Sequence, residues 1–239
     1  MALIAPSMLA ADFLHLSRCV DVVNRSGDIF HLDIMDGTFV PNISFGFPVI
    51  EAIAREARRP MDAHLMVVEP WKWVERVAGI GARMMSVHLE AVKDMSAYAG
   101  YHGVNLSEDK TVETLEAIQA AGMKAGLVIN PDIPAEMLFP YLKHADFVLL
   151  MSVYAGFGGQ KFIEETYDRI QAVKSECKRQ GRAPVFDGDT WTGCAIEVDG
   201  GVSPSNASCL AQAGADILVA GSAVFRSEDP VATVAAMKA

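Results

Sequence analysis

Short apolar runs rich in β-branched residues alternate with amphipathic stretches along the whole chain, and this alternation limits the fold more than any other feature. A buried parallel strand reads as a continuous apolar run because helices cover both faces of its sheet, and each crossover helix reads as a 3.6-residue periodicity. Eight runs have the first character: Leu3 to Pro6, Ile29 to Ile34, Met61 to Val67, Met84 to Leu89, Lys124 to Ile129, Phe147 to Val153, Ala195 to Val198 and Ile217 to Ala220. Helices are expected over Leu16 to Val23, Pro48 to Ala57, Pro70 to Ala78, Val112 to Ala121, Ala135 to Leu142, Glu164 to Arg179, Pro204 to Ala213 and Pro230 to Met237. Several open on proline, whose missing N–H costs nothing in a first turn, and several close on glycine (Gly79, Gly122, Gly214), which tolerates the left-handed position after a helix. Eight consecutive βα units account for all 239 residues, so a single α/β domain over 1–239, a (β/α)8 barrel, is expected. An open doubly wound sheet is the alternative, because periodicity does not show closure.

Composition narrows the partners. Lys plus Arg is 20 against 30 Asp plus Glu, a net charge of −10, with no long basic run, which argues against nucleic acid and against anionic membrane surfaces. The longest apolar stretches, such as Ile217 to Phe225, reach about half the roughly 20 residues that span a bilayer, so no membrane segment is expected. The N-terminus has no basic region followed by a cleavage site, which makes the cytoplasm the expected compartment. Cys19, Cys177, Cys194 and Cys209 are widely spaced, form no C-x-x-C, and read as reduced, packed thiols.

Barrel enzymes of this kind place their chemistry at the C-terminal ends of the strands. Polar residues there are Ser7, His31, Asp33, His64, His88, Glu90, Asn130, Ser152, Asp199 and Ser222. Two segments exceed ordinary loops: 93–110, on the catalytic side and a candidate lid, and 182–193, on the opposite side and a candidate subunit contact.

His31 and Asp33 stand at i and i+2, which puts both on one face of a strand, here the barrel interior. His64 follows on the next strand, next but one to Asp62, and the Glu197-Val-Asp199 string adds Asp199 at the end of the seventh. Two imidazoles and two carboxylates converging at one mouth fit a divalent ion such as zinc, iron, manganese or cobalt, since inward carboxylates are costly without a cation. His15 and His88 lack such partners by spacing and read as ordinary histidines. Glycines in three successive loops, Gly156-Phe157-Gly158-Gly159, Gly200-Gly201 and Gly221-Ser222, offer backbone N–H groups suited to a phosphate dianion.

The strings Pro6-Ser7-Met-Leu-Ala10-Ala-Asp12-Phe, Phe30-His31-Leu-Asp33-Ile-Met35-Asp36-Gly37-Thr-Phe-Val-Pro41-Asn42, Asp62-Ala-His64-Leu-Met66-Val, Gly156-Phe-Gly158-Gly159-Gln160-Lys-Phe-Ile, Glu197-Val-Asp199-Gly200-Gly201-Val and Ala220-Gly221-Ser222-Ala resemble, in order, those of the ribulose-phosphate 3-epimerase family. The resemblance implies a TIM barrel of ribulose-phosphate-binding type that interconverts D-ribulose 5-phosphate and D-xylulose 5-phosphate with one divalent metal ion (Zn, Fe, Mn or Co), and a homo-oligomer. It implies His31, Asp33, His64 and Asp199 as metal ligands, with Asp33 and Asp199 as the acid/base pair. Ser7 and His64 would touch the sugar, Met35, Met66 and Met151 would line the reacting centre, and Gly156, Phe157, Gly158, Gly159, Gly200, Gly201, Gly221 and Ser222 would hold the phosphate. Independently, inverting a carbon beside a ketone needs a proton removed from one face and returned to the other, for which two carboxylates and a charge-stabilising metal suffice. The chain departs from the family at Tyr154-Ala155, where an Asn-Pro or Asp-Pro is usual. The alternatives are therefore a D-allulose 6-phosphate 3-epimerase and, further off, a sugar-phosphate-binding barrel without turnover.

Overall fold

The computed structural model describes residues 2–97, 106–188 and 190–238. In chain order its strands are β1 (Leu3–Pro6), β2 (Phe30–Met35), β3 (Met61–Met66), β4 (Met84–His88), β5 (Lys124–Ile129), β6 (Phe147–Met151), β7 (Val185–Asp187), β8 (Thr190–Thr192), β9 (Ala195–Asp199) and β10 (Ile217–Ala220). All but β7 and β8 form one parallel sheet in the order β1-β10-β9-β6-β5-β4-β3-β2. The two ends of that order meet. A parallel bridge joins Ser7 to His31, and the Asp28 N–H donates to the Ile4 carbonyl at 2.9 Å. The sheet therefore curls into an eight-stranded barrel rather than the open doubly wound alternative.

The helices are α1 (Leu16–Ser26), α2 (Phe47–Glu56), α3 (Val74–Gly79), α4 (Leu89–Val92), α5 (Thr111–Ala120), α6 (Thr166–Arg179), α7 (Ala207–Ala213), α8 (Ser222–Phe225) and α9 (Pro230–Lys238). Three expectations need correction. The stretch from Pro70 to Ala78 divides into a 3-10 turn, Pro70–Trp73, and the short α3. Ala135–Tyr141 is 3-10 throughout, with Pro140 inside it, a residue that has no N–H to continue an α-helical ladder. At the third helix the left-handed glycine is Gly81, φ 84°, not Gly79, which is the helix's own last residue.

Helices pack outside the strands on a large apolar cluster that includes Leu65, Val87, Leu127, Leu150 and Val198, while the alternate residues of the same strands fill the interior. At the N-terminal end of the barrel Ala5, Ile29, Met84, Phe147, Ala195, Ile217 and Val219 cluster with Trp191. Gly126 makes this layer possible: a Cβ there would stand 2.3 Å from Phe147 Cζ and 2.7 Å from Ser86 Cβ. Trp191 comes from the 182–193 excursion, which forms the antiparallel β7–β8 hairpin. Its indole N–H donates to the Asp146 carbonyl at 2.8 Å, and Lys124 Nζ donates to its carbonyl at 2.7 Å, so the hairpin plugs the barrel floor.

On the opposite face the 93–110 excursion is clasped at its base. Asp109 accepts from Lys93 Nζ and from the Tyr141 hydroxyl, each at 2.7 Å, and the Lys110 N–H donates to Val92 O at 2.7 Å. Of the lid expected over 93–110, residues 98–105, Tyr101 included, lie outside the described residues. Among the described residues no helix is long and apolar enough to cross a membrane.

Candidate active site

Strand parity sends His31, Asp33 and Met35 of β2 inward, together with Asp62, His64 and Met66 of β3 and Glu197 and Asp199 of β9. Parallel register aligns Asp33 with His64 and Met35 with Met66, so the two neighbouring strands present one composite face. The Ser7–His31 bridge brings β1 alongside, and Ser7 Oγ donates to Asp33 Oδ2 at 2.5 Å.

Four groups expected to act together do meet. Asp33 Oδ1 lies 3.3 Å from His31 Nε2 and 3.1 Å from His64 Nδ1. Asp199 Oδ2 lies 3.8 Å from His31 Nε2 and 3.9 Å from His64 Nδ1. One donor atom from each of the four can be chosen so that all lie within 4.8 Å of one another. His31 Nε2 is buried with no hydrogen-bond partner among the described residues, although it points at two carboxylates. A buried imidazole nitrogen left open among two carboxylate oxygens and a second imidazole fits a divalent metal ion.

A further layer holds these donors. His31 Nδ1 is 2.7 Å from Asp62 Oδ2 and 3.6 Å from Glu197 Oε1, so carboxylates fix the ring nitrogen that faces away from the open position. Burial lowers the His31 pKa, but the Asp33 charge and the nearby carboxylates of Asp33, Asp62 and Glu197 outweigh it and lift the ring well above its usual value. Burial also works against the Asp33 carboxylate, yet His31 and His64 hold that carboxyl well below its ordinary range. Asp199 differs: burial first, then the Asp33 charge, push it up to about 7. Burial and the Asp62 charge push Glu197 up to about 8. Burial, helped by His88, takes His64 down to about 4 against the pull of Asp33.

His88 is a buried, hydrogen-bonded histidine, as its spacing suggested, but its partner is a member of the site. Its Nε2 is 2.9 Å from His64 Nε2, and the rings stack with centroids 5.1 Å apart. Beyond it the polar contacts continue to Glu90, whose Oε1 accepts from both the backbone and side-chain nitrogens of Asn130, and Asn130 Oδ1 accepts from the Ala155 N–H. Strand parity pointed His88 inward; its contact with His64 depends on the β3–β4 register, which spacing within one strand does not carry. His15, by contrast, pairs with Asp12 at 2.7 Å on the surface.

A cavity of about 180 Å³ opens above the four groups. Ser7, Asp33, Asp199, Met35, Met66 and Met151 line its inner part. Gly156, Phe157, Gly158, Gly159, Gly200, Gly201, Gly221 and Ser222 line it too, so the three glycine loops do converge. His31 and His64 are fully buried behind Asp33 and Asp199 and are not in the cavity wall. Gly201 shows why these loops need glycine: its φ is +63°, and a Cβ would sit 2.7 Å from the Phe162 backbone nitrogen. Side chains to which the sequence assigned no contact brace the loops. Asn42 Nδ2 donates to Gly156 O at 2.7 Å, Gln160 Nε2 to Phe157 O at 2.8 Å, and Ser152 Oγ to Gly200 O at 2.6 Å. A larger cleft, about 900 Å³, lies at the N-terminal end of the barrel, away from every one of these groups.

Known proteins share this architecture and much of this sequence. Among solved structures, KGPDC from Streptococcus mutans superposes with a TM-score of 0.65 at 11% identity, covering 100% of this chain and 96% of that one. The 3-hexulose-6-phosphate synthase of Salmonella typhimurium gives 0.62 at 16%, covering 98% and 96%. At those identities the likeness concerns the fold alone. Curated relatives are far nearer in sequence. Ribulose-phosphate 3-epimerase of Synechocystis sp. is 40% identical over 236 residues, 98% of this chain and 92% of the relative, and that of Bacillus subtilis is 38% identical over 96% and 94%. Residues 3–225 also match the sequence profile of the ribulose-phosphate 3-epimerase family. Agreement extending over nearly the whole chain bears out the resemblance carried by the six motifs: the chain belongs to the ribulose-phosphate 3-epimerase family.

Proposed function

We propose that the protein interconverts D-ribulose 5-phosphate and D-xylulose 5-phosphate by inverting C3. The observation that carries this reading is that the carboxyls of Asp33 and Asp199, from β2 and β9, both line one cavity that three glycine loops also line. The phosphate lies along the backbone N–H groups of the loops at 156–159, 200–201 and 221–222, which places the carbon chain between the two aspartates. One aspartate removes the C3 proton, leaving an enediolate, and the other returns a proton to the opposite face. Ser7, hydrogen-bonded to Asp33, fixes that carboxyl's second oxygen and faces the sugar. Met35, Met66 and Met151 keep water from the reacting carbon. His31, Asp33, His64 and Asp199 would hold a divalent ion, zinc, iron, manganese and cobalt all being suited to the donors, and that ion would supply positive charge beside the developing oxyanion.

Ribulose 5-phosphate incubated with metal-loaded enzyme in deuterated water should return product deuterated at C3; absence of exchange would overturn the reading. Asp33→Asn and Asp199→Asn should each lower kcat by about 10²–10⁴-fold while the circular dichroism spectrum stays unchanged. The relatives named above favour the five-carbon substrate over allulose 6-phosphate. Exposed Phe13, Leu14 and Ile43, on the loops after β1 and β2, support a homo-oligomer, and we place the enzyme in the cytoplasm. Light scattering reads the first and cell fractionation the second.

A further inference from the structure

One charged side chain in the cavity wall has no part in the reading above. Arg226 lines the same cavity as Gly201, Gly221 and Ser222, and among the described residues it is the only Lys or Arg that does. It is exposed, and among the described residues its guanidinium has no hydrogen bond or ion pair. Its backbone N–H donates to the Ser222 carbonyl at 3.1 Å, which sets the two residues one helical turn apart. Residues at that spacing share a face, and side chains lean toward the start of a helix, so a long side chain at 226 overlies Ser222 and the glycine loops.

The charge of the site makes this placement consequential. The wall at the other end carries Asp33 and Asp199, and the whole chain carries −10. A phosphate monoester adds nearly two more negative charges at neutral pH. Backbone N–H groups contribute only partial charges, whereas a guanidinium brings a full charge and a planar fork of donors matched to phosphate oxygens. We propose that Arg226 recognises the phosphate dianion and is the side chain by which the site prefers phosphorylated ketoses. The proposal rests on the phosphate placement argued above. Because Arg226 is exposed, its contribution is screened by salt and falls mainly on binding rather than on the proton transfers.

Arg226→Gln should raise KM for ribulose 5-phosphate about 10-fold and the Ki of inorganic phosphate by a similar factor, with kcat moving less than about threefold. Arg226→Lys should recover part of both. The wild-type KM should also climb with ionic strength more steeply than that of the glutamine variant. A KM and Ki unchanged in Arg226→Gln, or a loss confined to kcat, would overturn the proposal. Calorimetric titration with inorganic phosphate separates this outcome from failure of the functional reading. Weaker phosphate binding by the variant, in a protein without epimerase activity, would retain Arg226 and remove the epimerase; full turnover with equal phosphate affinity in both proteins would do the reverse.

Discussion

Asp62 governs where His31 points. Its carboxylate sits 2.7 Å from Nδ1, on the side of the ring opposite the open Nε2, so it fixes both the tautomer and the aim of the imidazole. Asp62→Asn is expected to weaken divalent-metal binding by about 10–100-fold, read by competition with a chromophoric chelator. An affinity equal to wild type would mean that Glu197 alone orients the ring. At this scale the sequence was legible wherever one strand carries the relationship. His31 and Asp33 share a face by parity, and the glycine loops follow their strands directly. What escaped it depends on register between strands: the stacking of His88 on His64, the reach of Glu90 to Asn130, and the support of Gly156 by Asn42, 114 residues away.

Individual elements are held by contacts that substitution can probe. Gly126→Ala drives a methyl group into the Phe147 ring and should destabilise the fold by about 1–3 kcal/mol in urea unfolding. Phe147→Leu in the same chain should recover part of that loss, since neighbours sharing a void do not act additively. Asp109 tests the clasp beneath the 93–110 excursion. Burial raises its pKa, but hydrogen bonds from Lys93, Thr111 and Tyr141 outweigh it and hold the carboxyl well below its usual range. A lowered carboxyl stabilises the fold above the unfolded-state pKa of roughly 4 and loses that effect as pH falls further. Asp109→Asn should therefore lower stability by about 0.5–1 kcal/mol at pH 7, a modest figure because the group is partly exposed, and the gap should narrow only below about pH 4. Element positions were readable from periodicity to within a few residues. The 3-10 form of Ala135–Tyr141 was not, because a period-3 and a period-3.6 pattern differ little over seven residues.

At the scale of the whole molecule, an ion held by His31, Asp33, His64 and Asp199 would add its binding free energy to the stability of the fold. A ligand present at 100 times its Kd stabilises a fold by about 2.7 kcal/mol, so removing the metal with a chelator should lower Tm by roughly 5–10 °C for a chain of this size. Adding back zinc or manganese should restore it, and a Tm indifferent to chelation would argue against a bound metal. The number of βα units was legible in the sequence; their closure into a ring was not, because it depends on β1 meeting both β10 and β2. That closure also dictates when the protein becomes competent. Ser7 abuts Gly221 and bridges to His31, so the sugar-facing hydroxyl and the last phosphate loop come together only when β10 docks on β1. On the ribosome, β10 emerges after every other strand. Metal ligands on β2 and β3 can be paired early in synthesis, while the cavity that confines a substrate waits for the final strand. A nascent or truncated chain without β9 and β10 would then lack both the fourth donor, Asp199, and the closed cavity, keeping half-made molecules catalytically silent.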